Sequence, residues 1–205
     1  MNKFYVILII AVISISCSGS KNITHALFSP KEKVLIMKGD SLQPMRIFKI
    51  TNREDSLLLR MKSKYVKPNP NDIVLQNFVK RLFATVRDSI SMGVGIAAPQ
   101  VGVLKNIIWV QRFDKDNFPF EVYLNPKITN YSKITQTVRE GCLSIPNRSD
   151  TLSSRSRDIK IEYDTMEGEH KSETITAFTA VIFQHEIDHL NGILYLDHLE
   201  KEFKN

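Results

Sequence analysis

The chain holds 205 residues, 42% of them hydrophobic and 24% charged, the balance of one soluble globular domain with extra material. Its net charge of +6 would suit nucleic acid, yet the Lys and Arg residues are scattered and nowhere cluster among aromatics, which argues against nucleic-acid binding. Beyond the N-terminus nothing is long and apolar enough to span a bilayer, and the cysteines Cys17 and Cys142 are too few for a disulfide framework.

Lys3 precedes an unbroken apolar run over 4–13, followed by Ser14, Ile15, Ser16 and Cys17. A positive start, a dozen or so apolar residues and small residues before a cut site describe an export signal over 1–17. Cys17 stands where a lipoprotein signal carries its lipid-modified cysteine, which would attach the protein to a membrane of the cell envelope. Ser14 takes the place of the leucine usual in such signals, and an ordinary signal or an uncleaved anchor is the other reading. Residues 18–49 are polar, basic and weakly patterned, as expected of a linker or N-terminal extension leading into one strand.

Pattern density rises from Ile50, which sets a domain over 50–205. Pro70, Asn71 and Asp72 signal a helix start, and Ile73, Val74, Phe78, Leu82 and Val86 continue as an apolar stripe at helical spacing. This helix is expected to run to about Ser91 and stop at Gly93, with its stripe in the core. Short β-rich runs follow over 106–111, 121–124, 133–138, 158–164 and 171–176, with turns at Asn117-Phe118-Pro119 and Met166-Glu167-Gly168. A second helix begins near Ala177 and ends at Asn191-Gly192. Its residues Phe178, Val181 and Ile182 lie on the face that His185 and His189 continue, so the two imidazoles emerge where the helix meets the core. The order predicts an α+β fold, with mixed or antiparallel sheets wrapped around a central metal-binding helix.

Three patches carry chemistry. In Gln184-His185-Glu186-Ile187-Asp188-His189, the two histidines are four residues apart and share one helix face, so both can address one ion. Glu186 is turned aside and can hold a proton beside a metal-activated water. Taken alone, the pattern also fits a solvated helix. In Glu140-Gly141-Cys142-Leu143-Ser144-Ile145-Pro146, a thiolate would complete a set of one Cys and two His, leaving a fourth coordination position open. A buried structural cysteine is the alternative. The third patch, over 93–102, has glycines (Gly93, Gly95, Gly102) that let backbone approach a ligand and an amide donor in Gln100. A tight turn after a helix would explain it equally, and phosphate binding fits it poorly.

Together and in this order, the three patches resemble the peptide deformylases, which are marked by a glycine-rich stretch ending in Gln, then Glu-Gly-Cys-Leu-Ser, then Gln-His-Glu-x-x-Asp-His. The likeness extends from about Ile50 to Leu199. It implies Cys142, His185 and His189 as metal ligands and Glu186 as catalytic acid/base. The Gln100 amide and the Leu143 N–H become the oxyanion contacts. Val94, Gly95, Val138, Phe178, Val181 and Ile182 become the substrate pocket that takes a methionine side chain, and Arg155 becomes a partner of Glu140. The cofactor implied is one divalent ion, Fe(II) typically, exchangeable for zinc, nickel or cobalt, and the substrate an N-formylmethionyl peptide that yields formate. Two departures stand out: an early Pro-Asp-x-x-Leu-Arg element is blurred around Glu54 to Arg60, and Ala177 replaces a glycine often found before the metal helix.

Formylated nascent chains leave ribosomes inside the cell, whereas residues 1–17 point to export. An envelope enzyme, an exported amidase with shifted substrate, or a cytoplasmic enzyme with a misread signal would each reconcile the two. A zincin-type endopeptidase would use the same helix but leaves the Cys142 patch unexplained. A non-catalytic envelope binding protein leaves the intact ligand set unexplained. The sequence does not indicate an oligomeric state.

Overall fold

The computed structural model describes residues 27–89 and 92–204; the export segment and Cys17 lie outside them. Two helices open the described chain, α1 (Pro30–Met37) and α2 (Arg53–Leu59), followed by the longer α3 (Ile73–Arg87). The Asp72 side chain accepts the Leu75 N–H at 2.8 Å, a cap worth about 1 kcal/mol. Leu75, Phe78, Leu82 and Val86 bury the apolar stripe, while Ile73 remains 72% exposed. The helix ends at Arg87 rather than near Ser91, because Asp88 turns extended (ψ 139°) and Gly93 N–H returns to the Val86 carbonyl at 3.0 Å.

Strands β1 (Gly95–Ala97), β2 (Ile107–Gln111), β3 (Phe120–Tyr131), β6 (Asp158–Asp164) and β7 (His170–Thr176) form one antiparallel sheet in the order β1-β2-β3-β6-β7. Between β3 and β6 the chain makes a separate antiparallel hairpin of β4 (Thr135–Cys142) and β5 (Ile145–Ser156). All pairings between named strands are antiparallel. Strand β2 is almost wholly apolar because both its faces are covered. Ile107 and Trp109 turn toward α3, while Ile108 and Val110 turn toward the helix α4 (Ala177–Leu190). α4 thus lies on the second face of the sheet, with Ala180, Ile182, Phe183, Ile187 and Leu190 packed on Tyr123, Ile159, Ile161 and Ile175. The chain continues into α5 (Tyr195–Lys204), which packs on β5.

Several elements differ from the sequence expectations. The stretch expected as a linker, 18–49, carries α1 with a capping box between Ser29 and Glu32, and Phe28, Ile36 and Met45 are buried in the same core as α3. Segment 54–60, the blurred family element, forms α2, capped by Asn52. The runs over 121–124 and 133–138 grow into the longer β3 and β4, while β5 had no signal at all. Gly192 (φ +74°) ends α4 in the left-handed conformation; a Cβ there would stand 2.4 Å from the Arg60 carbonyl oxygen, so only glycine permits this contact with the end of α2.

Candidate metal and hydrolytic site

The β4–β5 hairpin and α4 meet at the site. Cys142 pairs with Ile145 across a two-residue turn, Leu143-Ser144, so its thiol stands at the hairpin tip. The turn is anchored from outside by the Ile50 N–H, which donates to the Ser144 carbonyl at 3.0 Å. Cys142 Sγ lies 3.2 Å from His189 Nε2, and one donor atom from each of Cys142, His185 and His189 falls within 4.8 Å of the others. These three side chains could hold one metal ion. Burial raises the Cys142 thiol, but the His189 and His185 rings beside it outweigh this and hold it well below its ordinary range. That favours thiolate, the form that ligates metal.

Glu140 and Cys142 are two apart at the end of β4, and His185 lies against both. The Glu140 carboxylate accepts from His185 Nδ1 at 2.8 Å and from Arg155 Nε and Nη2 at 2.7 and 3.0 Å. This fixes the ring so that Nε2 is the His185 atom free to coordinate. Burial alone would raise Glu140, yet its bonds to His185 and Arg155 bring it down to about 2. Arg155 Nη1 continues to Asp188 Oδ2 at 2.6 Å, and Asp188 accepts from His198 Nε2 of α5 at 2.8 Å. A chain of hydrogen-bonded polar groups, buried at Glu140 and Arg155 and partly buried at Asp188 and His198, therefore runs from a candidate ligand to the C-terminal helix.

Glu186 is 4% exposed, and its Oε2 has no hydrogen-bond partner among the described residues. Burial pushes its carboxyl up to about 7. Gly95 allows this placement, since a Cβ there would stand 2.5 Å from Glu186 Oε1. Gln100 sits in a 3₁₀ turn (Ala98–Val101) directly after β1. The Ala97 N–H donates to its Oε1 at 2.8 Å, which leaves Nε2 aimed at Ser144 Oγ (3.3 Å) and Cys142 Sγ (3.6 Å). The neighbouring Gln184 clamps α4 to β5 instead, donating to the Ser156 and Ala180 carbonyls and accepting the Ser156 N–H.

An open cleft of about 1040 Å³ ends on these groups. Val94, Gly95, Gln100, Leu143, Phe178, Val181, Ile182, His185 and Glu186 all line it. Val138 does not. It pairs with Leu152, and alternation along β4 puts its side chain on the face opposite the cleft-lining Arg139. Sequence reasoning missed Ser144 as an acceptor for Gln100, although it belongs to the Cys142 patch, and missed Asp188 and His198 as the outer links of the hydrogen-bonded chain.

A family model for polypeptide deformylase matches residues 46–205. Peptide deformylase of Caulobacter sp. strain K31 is 37% identical over 157 residues, 76% of this chain and 88% of that protein. Peptide deformylase 2 of Bacillus subtilis is 41% identical over 113 residues, 54% of this chain and 61% of that protein. Among solved structures, a class I type b peptide deformylase from Acinetobacter baumannii with Met-Ala-Ser bound superposes with a TM-score of 0.64 at 32% identity, covering 76% of this chain and 98% of that one.

Proposed function

This chain belongs to the peptide deformylase family, a family of metal-dependent hydrolases, and from that premise we propose that its cleft removes the formyl group from N-formylmethionyl peptides. The observation that carries the reading is a set of one thiol and two imidazoles converging within 4.8 Å beside a buried carboxylate whose Oε2 has no protein partner among the described residues. Neither the zincin nor the shifted-amidase reading has comparable support.

Cys142, His185 and His189 would hold the ion, a donor set of soft thiolate and imidazole that fits Fe(II), zinc or nickel. When bound, the metal supplies Lewis-acid activation of water near neutral pH. The chain's own groups account for the remaining steps. Glu186 takes the proton from the attacking water at one carboxylate oxygen and delivers it to the departing amine, a duty suited to a buried carboxyl whose Oε2 has no partner among the described residues. Gln100 Nε2, held in orientation by the Ala97 N–H, donates to the oxygen on which charge develops, and the Leu143 N–H is the second donor. Val94, Val181, Ile182 and Phe178 receive the methionine side chain and exclude water.

Two finer readings go with this one. Fe(II) is the proposed native ion, checked by elemental analysis of anaerobically purified protein. Cys17 is the proposed lipid anchor of an envelope-located enzyme, supported by the pattern over 1–17; radiolabelled palmitate should label wild-type protein in the membrane fraction and not Cys17→Ala. The activity itself is tested by formate release from formyl-Met-Ala-Ser. Glu186→Ala should keep its metal and lose at least about a hundredfold in turnover; full turnover in that variant would remove the role given to Glu186.

A further inference from the structure

The two walls of the cleft differ in chemistry. On the side of β1 and α4 the lining is Met92, Val94, Phe178, Val181 and Ile182, all apolar. On the side of the hairpin and the segment before α2 stand Arg139, Arg148 and Lys49. The cleft-lining acids are Glu140 and Glu186. Glu140 is consumed by Arg155 and His185, and Glu186 is buried at the inner end. The outer part of the cleft is therefore cationic.

The three cations are not equivalent. Arg148 Nε is held by Asp150 at 2.8 Å, which offsets its charge. Arg139 makes one side-chain bond, from Nε to the Ser149 hydroxyl at 2.9 Å, and no carboxylate among the described residues lies within ion-pair distance of it. Lys49 likewise has no ion-pair partner among the described residues, and it sits next to Ile50, which is bonded to the hairpin turn. Both side chains are exposed. Their position also matters. Arg139 is three residues before Cys142 on β4, at most about 10 Å along the strand at about 3.3 Å per residue, since the ladder is irregular between Gly141 and Cys142. The cleft follows the hairpin in that direction, past Gly141 to Arg139 and Ser149. An extended peptide with its formyl group at the Cys142 end covers the same distance in three residues.

We infer that Lys49 and Arg139 form an anion-binding outer subsite, which selects N-formylmethionyl peptides carrying a carboxylate at the third residue. The inference rests on the deformylase reading of the inner site. The carboxylate can be the chain terminus of a short peptide or an acidic side chain within a longer one.

Four substrates separate the possibilities: formyl-Met-Ala-Ser as free acid, its C-terminal amide, and the amides of formyl-Met-Ala-Asp and formyl-Met-Ala-Lys, each assayed for formate release at low and high ionic strength. The free acid should exceed its amide in kcat/KM by about fivefold at low salt, through KM, the scale of two exposed ion pairs. The margin should shrink at high salt. If formyl-Met-Ala-Asp amide matches the free acid, the subsite takes any carboxylate at that position; if it behaves as the plain amide, the subsite reads the chain terminus. In the double variant Lys49→Gln/Arg139→Gln the acid and the amide should converge. Equal values for acid and amide at low salt, or a preference that survives the double variant, would overturn the subsite while leaving the deformylase reading intact. Failure of all four substrates to release formate would defeat that reading and the subsite with it.

Discussion

Helices α3 and α4 cover opposite faces of the same sheet and are held there by different means. α3 carries most of its instructions in its own residues, a capping Asp72 and apolar side chains on one face, with buried Arg81 and Thr85 as the exceptions that bond to the Leu35, Ile36 and Gln43 carbonyls and the Met45 N–H. α4 has no side-chain cap, and its buried residues include Gln184, His185, Glu186 and His189. Each of these polar groups depends on another element: Ser156 for Gln184, Glu140 for His185, Cys142 for His189 and the bare backbone of Gly95 for Glu186. A helix that packs by hydrophobicity is locally specified, whereas one that presents reactive groups to a cleft is stabilised by what surrounds it.

Substitutions can break or sharpen this contrast. Arg155→Met should be the most damaging to stability, by about 3–5 kcal/mol, because it leaves the Glu140 carboxylate buried beside a single partner. Chemical denaturation measures this, and metal content should fall with it as the His185 ring loosens. Cys142→Ala should strip the metal and abolish turnover while costing far less stability, which elemental analysis and a melting curve separate. An equally metal-loaded variant would show that the hairpin tip is not a ligand. On the α3 side, Asp72→Ala should cost about 1 kcal/mol and leave metal content and turnover unchanged.

The smallest effect concerns Ala177, which opens α4 at φ +51°. This left-handed conformation is strained for any residue with a Cβ, and the chain has alanine where the family often has glycine. Ala177→Gly should therefore stabilise by about 1 kcal/mol, seen as a rise of roughly 2–4 °C in melting temperature. A lowered melting temperature would mean that the backbone entropy of glycine outweighs the relieved strain.

Much of the frame was legible because it follows short-range rules. The strands over 106–111 and 158–164, both helix starts and the Asn191-Gly192 stop agree with the structure to within a residue or so. The failures share a cause. β5 is dominated by Arg, Ser, Asp and Thr and has no apolar alternation, since the hairpin is half exposed and is specified by pairing with β4. α1 and α2 are short, and Phe28, Ile36 and Met45 are too widely spaced to declare a core segment. Val138 was placed in the pocket by analogy, but it stands on the face of β4 opposite the cleft-lining Arg139.

The residues by themselves determined the periodicities, the four-residue spacing of His185 and His189 and the presence of a thiol and an amide at other places in the chain. They set which groups were available. Only the folded chain decided which atoms of those groups point where: Gln100 Nε2 inward because Oε1 is taken by Ala97, His185 Nε2 free because Nδ1 is taken by Glu140, and Arg139 along the cleft instead of against a carboxylate. The reason is that, apart from the short-range Ala97–Gln100 and Arg139–Ser149 bonds, the partners at the site lie far apart in sequence, Gln100 and Ser144 44 positions, Glu140 and His185 45 and Cys142 and His189 47, and no local pattern encodes such a partnership.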